Sequence, residues 1–164
     1  MQFFFFLICL TWSFNNNSIN KLFGEENITQ SLRIIDGDSI QIDNLKYRLF
    51  GIDAPEIKQK CKIDNQFYEC GQKSRDFLLN LIKNKKIKCK KKDFDRYKRI
   101  IAICYANDAN INREMVRSGW AIAYRRYSKI FVIDEDFAKK EKKGIWRGEF
   151  IQPSEWRRSN KLRK

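Results

Sequence analysis

The 164-residue chain contains no histidine. That absence removes a Ser-His-Asp triad, a histidine acid–base pair and histidine-ligated zinc. Any catalysis must therefore rest on carboxylates, Arg, Lys, Tyr, Cys or a hard metal ion. Acidic residues are also outnumbered, 20 Asp and Glu standing against 34 Lys and Arg for a net charge of +14. No internal repeat is visible, and no two cysteines have the C-x2-C spacing of a structural zinc site. Nor does any Lys or Arg precede Lys21.

What is present reads as one globular domain. Hydrophobic residues make up 43 % and aromatics 14 % of the chain, enough for a real core but hardly for two domains. The positive excess concentrates polyanions around the protein and speeds encounter with them. Nucleic acid is the leading partner and an anionic membrane the weaker one; a basic surface can also serve solubility alone.

Met1 to Trp12 reads MQFFFFLICLTW and is followed by a polar stretch, Ser13 to Asn20. The apolar run is shorter than the roughly 20 residues of a bilayer span. It suits the apolar region of a signal peptide, although it lacks a positive start and an A-x-A cleavage site. We read residues 1–24 as a signal peptide or N-terminal membrane leader, 25–158 as the folded domain and 159–164 as a basic tail. The expected location is exported, secreted or periplasmic; the alternative is a protein anchored by its uncleaved leader.

Alternation of apolar and polar residues predicts three early strands. Leu32, Ile34 and Ile35 run into the turn pair Asp36-Gly37, Ile40 and Ile42 into Asp43-Asn44, and Leu45, Tyr47 and Leu49 follow. A loop is expected from Ala54 to Cys70. Phe77, Leu78, Leu81 and Ile82 then define one face of a helix ending near Lys83 to Lys86. A hairpin follows, Lys86–Lys92 and Arg99–Tyr105 around a polar turn. Asn110 caps a short helix that stops at Gly119, and a last helix is expected from about Asp134 to Lys143. The fold class is α+β, mainly β: a five-stranded Greek-key barrel of OB type with about three helices.

Two acidic clusters flank these strands, Asp36-Gly37-Asp38 and Asp53-Ala54-Pro55-Glu56. In a meander the first and third strands run parallel, so both clusters can share one end of the sheet. Carboxylates gathered there repel one another unless a cation joins them, and hard divalent ions take such oxygens. Each cluster alone is also good turn sequence. Arg48 and Arg99 add two planar forks of donors that match phosphate oxygens. Metal, carboxylate and paired arginines are what phosphodiester hydrolysis needs. Taken singly, Arg48 also suits a solvated strand and Arg99 a basic turn.

Asp36-Gly37-Asp38-Ser39, the run Tyr47 to Glu56 and Asp95-Arg96-Tyr97-Lys98-Arg99 resemble, in order, the signatures of the staphylococcal nuclease (thermonuclease) family. Met115 to Ala121 and Gly144-Ile145-Trp146 are similar to its later motifs, so the resemblance spans roughly Ser31 to Trp146. It implies Ca²⁺ bound by the carboxylates of Asp38 and Asp53 and the carbonyl of Ala54, with Asp36 in support. It implies Glu56 as general base or water-orienting group, and Arg48 and Arg99 as the phosphate-gripping pair. Tyr97 matches a nucleotide-side position, and Tyr124 or Tyr127 another. The implied reaction is calcium-dependent hydrolysis of DNA and RNA leaving 3′-phosphates; a monomer is the default expectation. The alternative is a non-catalytic OB-type module binding single strands. Lys98 departs from the family, which has Gly there, so this turn must accept a side chain.

Four cysteines lie in the domain. Cys89 and Cys104 are nearly symmetric about the expected hairpin turn, and Cys61 and Cys70 bracket one short loop. Facing antiparallel residues lie within disulfide range, so the expected pairs are Cys61–Cys70 and Cys89–Cys104. Such pairs persist in oxidising compartments; four free thiols in a cytosolic protein are the alternative.

Overall fold

A computed structural model describes residues 31–162. The expected leader, Cys9 and the last two residues of the tail lie outside the described residues.

The first three strands follow the alternation of the sequence: β1 (Leu32–Asp36), β2 (Ser39–Ile42) and β3 (Leu45–Leu49). They form an antiparallel meander in which Ile34 faces Ile40 and Ser39 faces Arg48. A two-residue strand, β4 (Ile52–Asp53), follows directly. Beyond the hairpin β5 (Cys61–Ile63) and β6 (Gln66–Tyr68) comes α1 (Cys70–Ile82), which buries Leu78 and Ile82. The long hairpin is β7 (Ile87–Phe94) and β8 (Ile100–Ala106), with β9 (Ala109–Asn110) pairing onto β8. Next come α2 (Ile111–Arg117), β10 (Ile122–Ala123) and α3 (Val132–Lys140). A 3₁₀ turn at Gly144–Arg147 leads to α4 (Pro153–Lys161).

The main sheet has the order β1-β2-β3-β8-β7, with β3 and β8 parallel. One face packs Ile34, Ile40, Ile42, Leu49, Ala102 and Cys104 against Leu78 and Ile82 of α1, Ile111, Met115 and Val116 of α2, and Phe131. Each large apolar side chain so buried contributes about 1.5–3 kcal/mol. The period of two that sends Leu49 into this core turns Arg48 to the opposite face. A second, smaller cluster joins Cys61, Cys70, Ile122 and Ile145 beneath Trp146 and Phe150.

The mixed, strand-rich class agrees with the sequence, and four differences stand out. Among the described residues the sheet is open: β1 and β7 are its two edges, and no pairing closes a barrel. The described residues form four α-helices rather than about three, because α4 forms where charge-rich sequence offers no apolar stripe. Its Pro153 occupies the first turn, where a missing N–H costs nothing, and the helix continues through Lys161. Finally, the expected loop from Ala54 to Cys70 contains the β5–β6 hairpin, turned by Asp64 and Asn65 with φ of 48° and 65°. Three-residue strands are too short to show a period, but two positive φ values on Asp-Asn make the primed turn that suits strand twist. α3 also begins two residues earlier and ends three earlier than expected.

Both expected disulfides form. Cys89 and Cys104 are register partners on β7 and β8 with Cα atoms 4.1 Å apart. Cys61–Cys70 ties β5 to the start of α1 across 5.5 Å.

Candidate active site

The turn between β1 and β2 is the first wall of the site. The Asp38 N–H donates to Asp36 Oδ1 at 3.0 Å, closing the turn locally. Gly37 is required by close approach: a Cβ there would lie 2.0 Å from Ser74 Oγ on α1 and 2.7 Å from Ala54 Cβ. With no side chain in the way, the turn nests against the segment after β4. Asp38 Oδ2 then accepts the Ala54 N–H at 2.7 Å, and Asp38 Oδ1 accepts Ser39 Oγ–H at 3.0 Å. Two acidic clusters separated in sequence are thus fastened to each other.

Arg48 spans the gap between them. Its Nη1 pairs with Asp38 and its Nη2 with Asp53 Oδ1 at 2.9 Å. Asp38 is almost buried and Asp53 fully so, and both converge on one guanidinium. Burial pushes the Arg48 pKa down against the opposing charges of Asp53 and Asp36, yet a guanidinium stays protonated at any working pH. Burial likewise raises the Asp36 carboxyl, opposed by Arg48, Ser39 and Arg99.

Arg99 arrives from the β7–β8 turn. Its Nε donates to Asp95 Oδ2 at 2.6 Å and its Nη1 to Ser39 Oγ at 3.2 Å. Ser39 Oγ therefore links the Arg99 fork to Asp38. Tyr97 stands over this arm, 62 % exposed, with the Arg99 guanidinium 5.7 Å from its ring and that of Arg96 at 4.7 Å. Tyr124 and Tyr127 pack edge to face at 4.9 Å just after β10, where the Tyr124 N–H donates to Gly51 O at 2.9 Å. Among the described residues, neither tyrosine hydrogen-bonds to the carboxylates or arginines of the site.

Glu56 is held differently. Its N–H donates to Gln59 Oε1 at 3.3 Å, and its carbonyl accepts the Gln59 N–H at 2.7 Å. The first turn of α1 packs on the same carbonyl, so closely that a Cβ on Gly71 would come within 1.8 Å of Glu56 O. The Glu56 side chain is 29 % exposed, whereas those of Asp38 and Asp53 are 7 % and 0 % exposed. Of these three carboxylates, only Glu56 is open to solvent.

The sequence reading missed Arg157. From α4 its Nη1 donates to both Asp53 Oδ1, at 2.9 Å, and Glu56 Oε1, at 2.8 Å, while Nη2 donates to Asp53 Oδ2 at 3.0 Å. Burial alone would lower its pKa, but hydrogen bonds and charge from Asp53 and Glu56 raise it overall. Pro153-x-x-Trp156-Arg157 carries a helix-start proline and an aromatic that can pack. That was the available signal, masked by basic residues that read as a solvated end.

One network therefore runs Glu56–Arg157–Asp53–Arg48–Asp38–Ser39–Arg99. It brings together Asp38, Arg48, Asp53, Ala54, Glu56 and Arg99 and sets Tyr97 beside them; Tyr124 and Tyr127 are not part of it. The buried carboxylates of Asp38 and Asp53 are hard oxygen donors already converging on one positive group, which fits a divalent cation. Among the described residues no group of three or more carboxylates or cysteines is gathered for a metal, so the protein oxygens there are few.

A family model described as staphylococcal nuclease homologue matches residues 46–148. The chain is also similar to an uncharacterized endonuclease of Haemophilus influenzae, 36 % identical over 146 residues that cover 84 % of this chain and 77 % of that protein. A micrococcal nuclease of Shigella flexneri is 31 % identical over 149 residues, covering 79 % of this chain and 80 % of the relative.

Proposed function

From the premise that this chain belongs to the staphylococcal nuclease family, we propose that it is a calcium-dependent nuclease hydrolysing phosphodiester bonds of DNA and RNA to leave 3′-phosphates. The observation that carries this reading is the continuous network joining Glu56, Asp53, Arg48, Asp38 and Arg99. Five residues scattered over the first two-thirds of the chain meet in one network beside the β1–β2 turn.

Asp38 and Asp53, with the Ala54 carbonyl, would hold Ca²⁺. The ion would supply Lewis-acid polarisation of the phosphoryl group, with the irregular oxygen geometry that Ca²⁺ tolerates. The remaining work belongs to side chains. Arg48 and Arg99 sit on either side of Ser39 and present two guanidinium forks to the equatorial oxygens of a phosphodiester. Charge that develops there in the transition state meets preorganised donors. Glu56, the partly open carboxylate, accepts a proton from water and directs it in line. Tyr97 offers an exposed ring beside Arg99 on which a base can stack. Asp95 orients Arg99 through its Nε.

Exported location is part of the same proposal. Two disulfides support it, since such bonds persist outside reducing compartments. A monomeric enzyme acting on single-stranded or fraying substrate is the working form.

The test is cleavage of denatured DNA by purified protein, with calcium and with a chelator. Calcium-dependent release of 3′-phosphate ends is expected, and Glu56→Gln should lower kcat by about 10²–10⁴-fold while nucleic-acid binding persists. Folded protein that binds single strands but cuts none would leave only the non-catalytic module.

A further inference from the structure

We infer that Arg157, brought in by α4, is a third active-site arginine: a positioning residue that holds the Glu56 carboxylate against Asp53 and offsets the negative charge of the site. This rests on the nuclease reading above and deepens it. The family match ends at residue 148, so α4 and Arg157 lie beyond the residues that the family model matches.

Geometry is the first support. Arg157 makes a bidentate contact with Asp53, and its Nη1 is shared between Asp53 Oδ1 and Glu56 Oε1 at 2.9 and 2.8 Å. A planar fork fixes two carboxylates relative to each other in a way a point charge cannot. Glu56 lies on a loop and is the most open carboxylate of the set, so its carboxylate needs such a tether to keep one direction. Asp53 provides the anchor, because it is fully buried and also bound by Arg48.

Charge is the second support. Among the described residues, the ion pairs and charge contacts found for Asp36, Asp38, Asp53, Glu56 and Asp95 run to Arg48, Arg99 and Arg157. With Arg157 the cluster is two negative charges in excess, which one divalent cation balances. Without it the excess is three, the cation is held harder, and the tethered base is freed.

Construction of the approach is the third. α4 buries Pro153 and half-buries Trp156. Gln59, fully buried, uses both ends of its amide: Oε1 accepts the Glu56 N–H and Nε2 donates to Ile151 O at 2.6 Å. One side chain thus ties the Glu56 loop to the segment that launches α4. Arg157 reaches across 101 residues of sequence to a base whose own loop is fastened to its helix.

The role predicts an unusual pairing of effects. Removing a positive charge beside Asp53 should tighten calcium, while loosening Glu56 should slow turnover. Wild type, Arg157→Gln and Arg157→Lys are compared by calorimetric titration with Ca²⁺ and by steady-state cleavage of denatured DNA. Arg157→Gln should bind Ca²⁺ severalfold more tightly and lose about tenfold or more in kcat, with a smaller change in KM. Lys keeps the charge and one contact, so Arg157→Lys should restore wild-type calcium affinity but only part of kcat. Arg158→Gln, an exposed neighbour, controls for general loss of surface charge.

Weaker calcium binding together with slower turnover would mean a merely structural helix and would overturn the role. Tighter calcium with faster turnover would make Arg157 a block on the site, which also overturns it. Kinetics and affinity equal to wild type would do the same. Wild-type protein that does not cut with calcium present overturns the nuclease reading and this role together; cutting by wild type and Arg157→Gln alike sinks the role alone.

Discussion

Lys98 adopts φ of 63° in the turn between β7 and β8, the left-handed region in which glycine is at ease. A side chain there costs about 1–2 kcal/mol, and Arg99 follows immediately. Lys98→Gly should therefore raise unfolding free energy by about 1 kcal/mol, part of the relief being offset by the greater freedom of unfolded Gly. Urea titration checks this. Three residues earlier in the same arm, Asp95 gathers donors. Burial alone would raise its carboxyl, but the Arg99 N–H and guanidinium and the Tyr97 N–H outweigh it and hold it below the ordinary 3.8. The folded carboxyl thus ionises more readily than the unfolded one. Its stabilisation is complete above the ordinary carboxylate range and disappears as pH falls from 3.8 through the lowered folded value. Asp95→Asn should cost about 0.5–1 kcal/mol at neutral pH. The gap from wild type should close in acid, as pH-dependent melts would reveal. Both residues were visible in the sequence, Lys98 as a departure from a glycine position and Asp95 as a turn residue. The direction of each effect comes from the backbone angle and the donors around it.

At the scale of elements, the β7–β8 hairpin is held by its Cys89–Cys104 bridge as well as by its ladder. A closed segment of 15 residues is expected to contribute about 3 kcal/mol through loss of unfolded-chain freedom. Replacing both cysteines by Ala should lower stability by about 2–3 kcal/mol, and a reductant, which opens Cys61–Cys70 as well, should lower wild type by at least as much. An equal urea midpoint for the two proteins would refute the contribution. α1 matters to the site through its first turn, where Gly71 meets the Glu56 carbonyl. Gly71→Ala should displace that loop, lower stability by about 1–3 kcal/mol and reduce kcat more than KM. Strands β1 to β3 and helices α1 and α2 were legible because each shows its own period over enough residues. Asn110 caps α2 as its chemistry suggests, its side chain accepting the Arg113 N–H at 3.1 Å. The β5–β6 hairpin and α4 were not legible. One is too short to display alternation, and the other is held by a buried proline, a half-buried Trp156 and the Arg157 ion pairs rather than by an apolar face.

For the whole molecule, the net charge of +14 bears on encounter with substrate. Released counterions make polynucleotide affinity fall with salt, with a slope of about −0.7 per phosphate contact on single strands. Three such contacts imply roughly a 20-fold rise in KM between about 50 and about 200 mM salt, with kcat changing far less. A KM flat across that range would show that the positive field plays no part in capture.

By itself, the sequence determined the alternation that builds the sheet, the disulfide pairs, and the two acidic clusters and two arginines in their order. These are local patterns, or pairs brought together by one turn, so short-range chemistry specifies them. Tertiary structure alone decided that Asp38 and Asp53 close on one guanidinium and that Glu56 stays partly open while they are buried. It also decided that Arg157 completes the cluster from the far end of the chain. The reason is physical: an ion pair spanning 104 residues leaves no periodicity behind, and only the packing of α4 and Gln59 against the Glu56 loop brings its partners within hydrogen-bonding distance.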